Sequence, residues 1–284
     1  MTACFLDFEE KSNIMKDNQQ QRQEAENTRR VINEDHRTEW MKYKGPLWSL
    51  NNLFRSKQEE GRKPLKYSVP ETELETVKQW MKNESEDEYV WFCMGARKSE
   101  STPQSNILVP YLSYGPTEPI SSEGKKGIEL KVTAVNNEKG VSTIEDDLNV
   151  DKVNFTGSII IDSYTAKKEA REWIETDIDY NLFKVREDFA NALVRNYQFD
   201  TYQNLVEYYG GDKEKAKNII DAIDEISYIF GVATPEDRVG DKYDGWPPFT
   251  IVLKITSTYS GGQNSVTVLE NVATPCPPLC NDQQ

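Results

Sequence analysis

Carboxylates and aromatic side chains are concentrated between residues 235 and 248. Such a mixture suits Ca²⁺, a sugar or a basic peptide, because carboxylate oxygens coordinate calcium and aromatic rings line ligand pockets. Two carboxyl groups about 5–9.5 Å apart also suffice for glycoside hydrolysis. The spacing differs from that of an EF-hand, and a solvated hairpin loop has the same composition. The candidate ligand-binding residues are Asp237, Asp241, Tyr243, Asp244 and Trp246.

A second candidate is the C-terminal sequence Pro275-Cys-Pro-Pro-Leu-Cys280. A disulfide between Cys276 and Cys280 needs Cα atoms about 4.4–6.8 Å apart, whereas polyproline geometry between them gives about 12 Å. Two thiolates are too few for zinc unless Cys4 or Cys93 joins them. The tail therefore forms a disulfide, local or between chains, or it is a stiff peptide that packs on the body or on a partner. We predict no metal site and no cofactor.

The composition excludes several function classes. His36 is the single histidine, so a histidine-dependent nucleophile system or zinc site would have to use it. The sequence contains no P-loop, dinucleotide-binding or HExxH motif. The 284 residues include 34 basic and 48 acidic side chains, and the net charge of −14 argues against nucleic-acid binding. Without an apolar span of about 20 residues or a recognisable signal, we expect a cytoplasmic protein with no membrane span.

Residues 9–44 have a distinct character, with eight acids, eight bases and no glycine or proline. This pattern favours one long, polar helix. Its apolar residues form only a narrow face, so such a helix either docks on a partner or is partly disordered. We predict docking, because apolar residues cluster between residues 40 and 54. The candidate partner-binding residues are Ile14, Ala25, Ile32 and Trp40.

The remaining sequence mixes helical and strand patterns, which predicts an α+β fold. Strands are predicted at 89–94, 106–112, 127–133, 141–144, 157–161, 226–232, 249–255 and 266–269. Helices are predicted to be capped by Ser68, Thr165 and Asp212, with further helical blocks at 180–197 and 203–209.

Four regions follow from these patterns: a charged helical arm (1–62), an α+β half (63–150), a second α+β half with a helical insertion (151–274) and the cysteine tail (275–284). The sequences Val77-Lys-Gln-Trp-Met81 and Ala170-Arg-Glu-Trp-Ile174 match in pattern. Their match leaves two interpretations open, a degenerate duplication or a chance similarity of core residues.

The Cys-Pro-Pro-Leu-Cys280 ending adds a resemblance when it is combined with the 170–173 helix and the strands at 228–232 and 249–255. Together they resemble a group of uncharacterised bacterial proteins, mainly from Bacteroidota, that end in Cys-Pro-Pro-x-Cys after a late strand pair. The resemblance covers at most residues 157–280. It implies a lineage and no activity.

The sequence therefore predicts a non-enzymatic interaction or assembly protein that engages a protein partner, or a second copy of itself, through its N-terminal helix. Two alternatives depend on the 235–248 segment. One is a carboxylate-dependent hydrolase of glycan type, and the other is a calcium- or sugar-binding module.

Overall fold

The computed structural model describes residues 62–84, 88–98, 106–116, 127–148, 163–178, 180–183, 194, 196–233, 248–258, 266–270 and 274–276. Helices and strands are both present in these ranges, which confirms the α+β class. The helices are α1 (Leu74–Met81), α2 (Glu138–Asp147), α3 (Ser163–Glu175), α4 (Thr201–Tyr208) and α5 (Lys213–Asp221). The strands are β1 (Pro64–Ser68), β2 (Tyr89–Cys93), β3 (Ala96–Lys98), β4 (Asn106–Leu108), β5 (Tyr111–Gly115), β6 (Ile128–Glu129), β7 (Lys131–Val135), β8 (Asn196–Phe199), β9 (Ile223–Val232), β10 (Phe249–Ser257), β11 (Val266–Glu270) and β12 (Thr274–Cys276).

The strands form two five-stranded antiparallel sheets and a separate β3–β4 pair. The first sheet has the order β11-β10-β9-β1-β7, and the second has the order β12-β8-β2-β5-β6. Strands from both sides of residue 150 share each sheet, because β1 pairs with β9 and β2 pairs with β8. Segments 63–150 and 151–274 therefore do not form separate sheet-plus-helix halves. Sequence patterns identify strands but not their partners, so this long-range pairing was not predicted.

Aromatic side chains join the two sheets. The ring of Phe92 on β2 lies 5.1 Å from that of Tyr228 and 6.2 Å from that of Phe230, both on β9. Phe199 on β8 contacts Tyr228 at 5.6 Å. Trp173 on α3 contacts Phe230 at 5.5 Å and is itself fully buried. Rings of this size bury much apolar surface per residue, so this aromatic layer contributes strongly to the contact between the two sheets.

The first helix is only partly as predicted. Val77 and Met81 are buried, which confirms its apolar face. The predicted N-cap is wrong, because Ser68 ends strand β1 and its hydroxyl lies 3.0 Å from that of Thr133. Pairing of β1 with β9 keeps Ser68 in the sheet, and the helix instead begins after a 3-10 turn at Glu71–Glu73.

The predicted strand at 141–144 is also wrong, because these residues belong to α2. The Asn137 side chain accepts a hydrogen bond of 2.7 Å from the Gly140 amide and caps the helix. Ile144 and Leu148 are buried at helical spacing. Asn and Gly are also common in turns before strands, but here Asn137 and Gly140 start a helix.

The later helices follow the prediction closely. Helix α4 ends before Gly210 and Gly211, whose φ angles of +66° and +93° suit glycine. The Asp212 side chain accepts a 2.9 Å hydrogen bond from the Lys215 amide, which confirms it as the N-cap of α5. Thr165 was predicted to cap α3 but lies inside that helix.

Two predicted strands are each broken into a pair. The 106–112 strand divides at Pro110 into β4 and β5, as the missing amide of proline requires. The 127–133 strand divides at Leu130, whose amide donates to the Pro110 carbonyl at 3.0 Å. Its first part joins the second sheet and its second part joins the first sheet, so the chain crosses between sheets at Leu130.

The helical block predicted at 180–197 contains a strand instead at its C-terminal end. Tyr197 lies on β8 and pairs with Phe92 of β2. Its hydroxyl donates to the Phe249 carbonyl at 2.9 Å. The sheet partner, which the local pattern does not reveal, decides the conformation here. The strand predicted at 157–161 lies outside the described residues.

Gly140 generates the first testable prediction. A Cβ at this position would lie 1.9 Å from the Val135 carbonyl oxygen, so only glycine lets α2 lie this close to β7. We expect Gly140→Ala to lower the free energy of unfolding by about 1–3 kcal/mol, as overpacking does. Urea denaturation measures this value. The exposed Ser142→Ala on the same helix serves as the control, and equal stability of both variants would contradict the close approach.

Candidate functional site

Two lysines and two carboxylates meet where the C-terminus of α2 lies over the first sheet. The Lys66 ammonium group lies 2.5 Å from Asp147 and 2.9 Å from Glu225. The Lys254 ammonium group lies 3.3 Å from Asp147 and 3.8 Å from Glu225. We call these four residues the ion cluster. They come from β1, α2, β9 and β10 and have no net charge together.

Strand register explains why these side chains meet. Ser68, Ser227 and Lys254 occupy matched positions on β1, β9 and β10, so they form a row across the sheet. Lys66 is two residues before Ser68 on β1 and therefore points to the same face. Helix α2 then brings Asp147 onto that face. No local pattern reveals a site whose members lie so far apart along the chain.

The ion cluster favours the charged forms of Lys66 and Glu225. The lysine side chains are 8% exposed, and burial alone would lower the pKa of Lys66. Hydrogen bonds and charges from Asp147 and Glu225 outweigh burial and raise this pKa above its usual 10.5. Burial likewise opposes ionisation of Glu225, but Ser227, Lys66 and Lys254 lower its pKa. A lysine in this state is a poor base, so the cluster suits fastening a helix to a sheet.

A second polar group lies at the rim of the core. Trp80 stacks on Tyr114 with ring centroids 5.7 Å apart, and the Tyr114 hydroxyl donates to Glu88 at 2.6 Å. The Asn83 side-chain amide donates to both Glu88 and Tyr114. Burial and Glu88 raise the pKa of Tyr114 to about 12. These residues combine aromatic and carboxylate chemistry, but their polar atoms bond to one another.

A cavity of about 210 Å³ lies between β7 and the first turns of α2, and we call it the β7–α2 groove. In the described part of the first sheet, β7 is an edge strand. Its pairing with β1 shifts at Thr133, which is an extra residue in the register and forms a bulge. No carboxylate is among the described lining residues, which are Val132, Thr133, Ala134, Val135, Asn137, Lys139, Gly140 and Thr143.

Most of the residues predicted as sites lie outside the described residues. This holds for the ligand-binding and partner-binding candidates and for the second tail cysteine, that is, for Asp237, Asp241, Tyr243, Asp244, Trp246, Ile14, Ala25, Ile32, Trp40 and Cys280. The sequence analysis did not predict the ion cluster or the β7–α2 groove. A local indication of the groove is the helix cap at Asn137 followed by Gly140, which lets α2 lie close to β7.

The structure does place the backbone of Cys276. Strand β12 pairs with β8, where Cys276 lies opposite Asn196, and Asn196 lies opposite the buried Cys93 of β2. Two strand spacings correspond to about 9.6 Å, beyond the reach of about 7 Å between bonded cysteines. Cys93 is therefore not a disulfide partner of Cys276 in this fold. Pro275 and Cys276 belong to the second sheet and not to a separate tail.

In the described ranges, no three histidine, cysteine or acidic side chains are grouped to hold a metal ion. The described helices include none that is long and apolar enough to span a membrane. No family model, curated protein or solved structure matches the chain. The resemblance to proteins with a Cys-Pro-Pro-x-Cys ending stays a prediction.

Removing one carboxylate tests the ion cluster. Asp147→Asn leaves two buried lysines with Glu225 alone, so we expect a loss of about 2–3 kcal/mol of unfolding free energy. This lies below the 3–5 kcal/mol typical of fully buried pairs, because the Asp147 side chain is 20% exposed. Chemical denaturation measures the loss. Asp146→Asn, its exposed neighbour, should change stability by less than about 0.5 kcal/mol.

The lowered pKa of Glu225 predicts an acid dependence. Unfolding releases this carboxyl to its ordinary pKa of about 4.5, so its contribution to stability is complete above that pH. The contribution is lost as pH falls below 4.5 through the folded pKa. The pKa of Lys66 is raised, so the pH dependence of its contribution to stability has the opposite sign. This contribution is lost only above pH 10.5. Unfolding free energies between pH 3 and about pH 7 should fall less steeply with acid in Glu225→Gln than in the wild type. The same slope in both proteins would contradict the assignment, and exposed Glu214→Gln is the control.

Proposed function

We propose that this protein binds other polypeptides, as an interaction or assembly protein that catalyses no reaction. The single observation that carries the proposal is the β7–α2 groove, a cavity of about 210 Å³ whose described lining contains no acid and which lies beside an edge strand of the described sheet. Grooves of this kind bind extended chains through main-chain hydrogen bonds and side-chain pockets. We further propose that the protein acts in the cytoplasm.

The polar groups outside the groove support binding over catalysis. Lys217 and Glu84 are joined by a hydrogen bond and carry opposite charges. This interaction raises the pKa of Lys217 and lowers that of Glu84. Burial raises the pKa of Tyr208 to about 12. Together with Lys66, Glu225 and Tyr114, every resolved shift in the described residues moves away from neutrality. General acid–base catalysis needs the reverse, a pKa near the working pH.

The N-terminal segment joins the body next to the groove. The Lys63 carbonyl accepts a 2.7 Å hydrogen bond from the Asn136 amide, and Pro64 pairs with Val135. Val135 also lines the groove. The chain that follows the N-terminal segment therefore enters the described structure where β7 passes into α2. This supports the proposal that the segment and the groove serve the same partner.

Charge substitutions in the full-length protein test the predicted face of the segment. Ile14→Asp with Ile32→Asp places two charges on the apolar face, and Gln23→Asp with Asn27→Asp places two on the opposite face. We expect the first pair, and not the second, to weaken self-association or partner retention at least 10-fold. Light scattering after size exclusion measures self-association, and quantitative affinity capture from the native host measures partner retention.

Two outcomes would contradict this proposal. The wild-type protein would be monomeric and retain no stoichiometric partner, or the two charge variants would behave alike. If the two charge variants behave alike, the segment is not part of the binding surface. If the wild-type protein is monomeric and retains no partner, it does not have the proposed function.

A further inference from the structure

We propose that the β7–α2 groove binds an extended, acidic segment of a partner polypeptide, which pairs with β7 as an added strand. This inference rests on the proposed protein-binding function and names the surface and the chemistry of the partner. Three features of the groove carry it: the size of the cavity, the charges at its rim and the shape of the edge strand.

The cavity is large enough for one side chain of the partner. A cavity of about 150 Å³ holds benzene, so about 210 Å³ accommodates one aromatic or branched aliphatic group. Val132, Ala134 and Val135 supply apolar lining. In strand addition, main-chain hydrogen bonds provide affinity, and a pocket for alternate side chains provides specificity. The groove offers such a pocket beside the strand.

The charges at the groove favour an acidic partner. Lys131 begins β7 and Lys139 lies in the first turn of α2, and both are exposed. Among the described residues neither lysine makes an ion pair, whereas lysines such as Lys66, Lys82 and Lys217 do. Lys139 lines the cavity, whereas Lys131 and the exposed Glu138 lie beside the lining residues.

In a protein of net charge −14, a cavity whose described lining contains Lys139 and no acid, with Lys131 at the start of β7, is a local exception. At physiological ionic strength, salt screens interactions between exposed charges that lie more than about 8 Å apart. Acidic residues elsewhere on the protein therefore repel an acidic segment in the groove only weakly. An Asp or Glu side chain of the partner would form ion pairs with these lysines, which the described residues do not.

The shape of the edge disfavours a second copy as the occupant. Strand β7 has five residues, begins with a lysine and carries the bulge at Thr133. Short length, edge lysines and bulges are features that prevent like edges from pairing. A second β7 would bring the same bulge and the same positive charges. A pliable segment of another protein can follow the bulge and supply the opposite charge.

The test uses full-length protein and a displayed library of random 12-residue peptides. We expect selected peptides to share Asp or Glu on either side of a β-branched or aromatic residue. A synthetic peptide of the consensus sequence should bind Lys131→Glu with Lys139→Glu at least 10-fold more weakly than wild type. Replacing the acids of the peptide by lysine should restore binding to that variant. Lys213→Glu with Lys215→Glu, on α5, carries the same charge change and should bind as wild type does.

Hydrogen exchange then locates the contact. Amides of β7 should become protected when the consensus peptide binds, because strand addition uses them as donors. Absence of enriched peptides, enrichment without acids, equal binding to the groove variant, or protection elsewhere would each overturn the inference. If this inference fails while self-association or partner retention stays sensitive to the Ile14 and Ile32 substitutions, the protein still binds polypeptides, but through the N-terminal segment and not through the groove.

Discussion

Burial of both faces of β9 is the constraint on which the described structure depends. On one face, Tyr228 and Phe230 contact rings of the second sheet, and on the other Gly231 lies so close to α3 that an added Cβ would be 3.1 Å from the Glu169 Cβ. Strands β1 and β10 occupy its two edges. A strand enclosed in this way fixes the positions of both sheets and of α3, because interior packing tolerates little displacement.

The ion cluster solves a problem that this arrangement creates. A sheet covered on both faces leaves little room for Lys66 and Lys254, whose side chains are 8% exposed. Each lysine therefore shares the same two carboxylates, so every charge in the cluster has two partners. Replacing all four residues by apolar ones of similar volume would cost little stability, whereas removing one is expensive. Such a cluster fixes the position of α2 on the sheet and adds little net stability.

Local patterns predicted the parts of the fold that local interactions determine. Strands β9 and β10 are long apolar runs, and Asp212 caps α5 through an amide three residues away. Predictions failed where a distant partner decides the conformation, as for Ser68 and Tyr197, which are held in strands by β9 and β2. The ion cluster could not be predicted from the sequence for the same reason. Its members are brought together by register and helix packing, which no pattern of neighbouring residues encodes.

The pairing of β1 with β9 also has a consequence for synthesis on the ribosome. The hydroxyl groups of Ser68 and Ser227 lie 3.3 Å apart although 159 positions separate them in the chain. At about 5–20 residues per second, the earlier strand emerges roughly 8–30 s before its neighbour exists. During that interval β1 can pair with β7 but not with β9, so one of its edges stays unpaired until residues 223–232 are made.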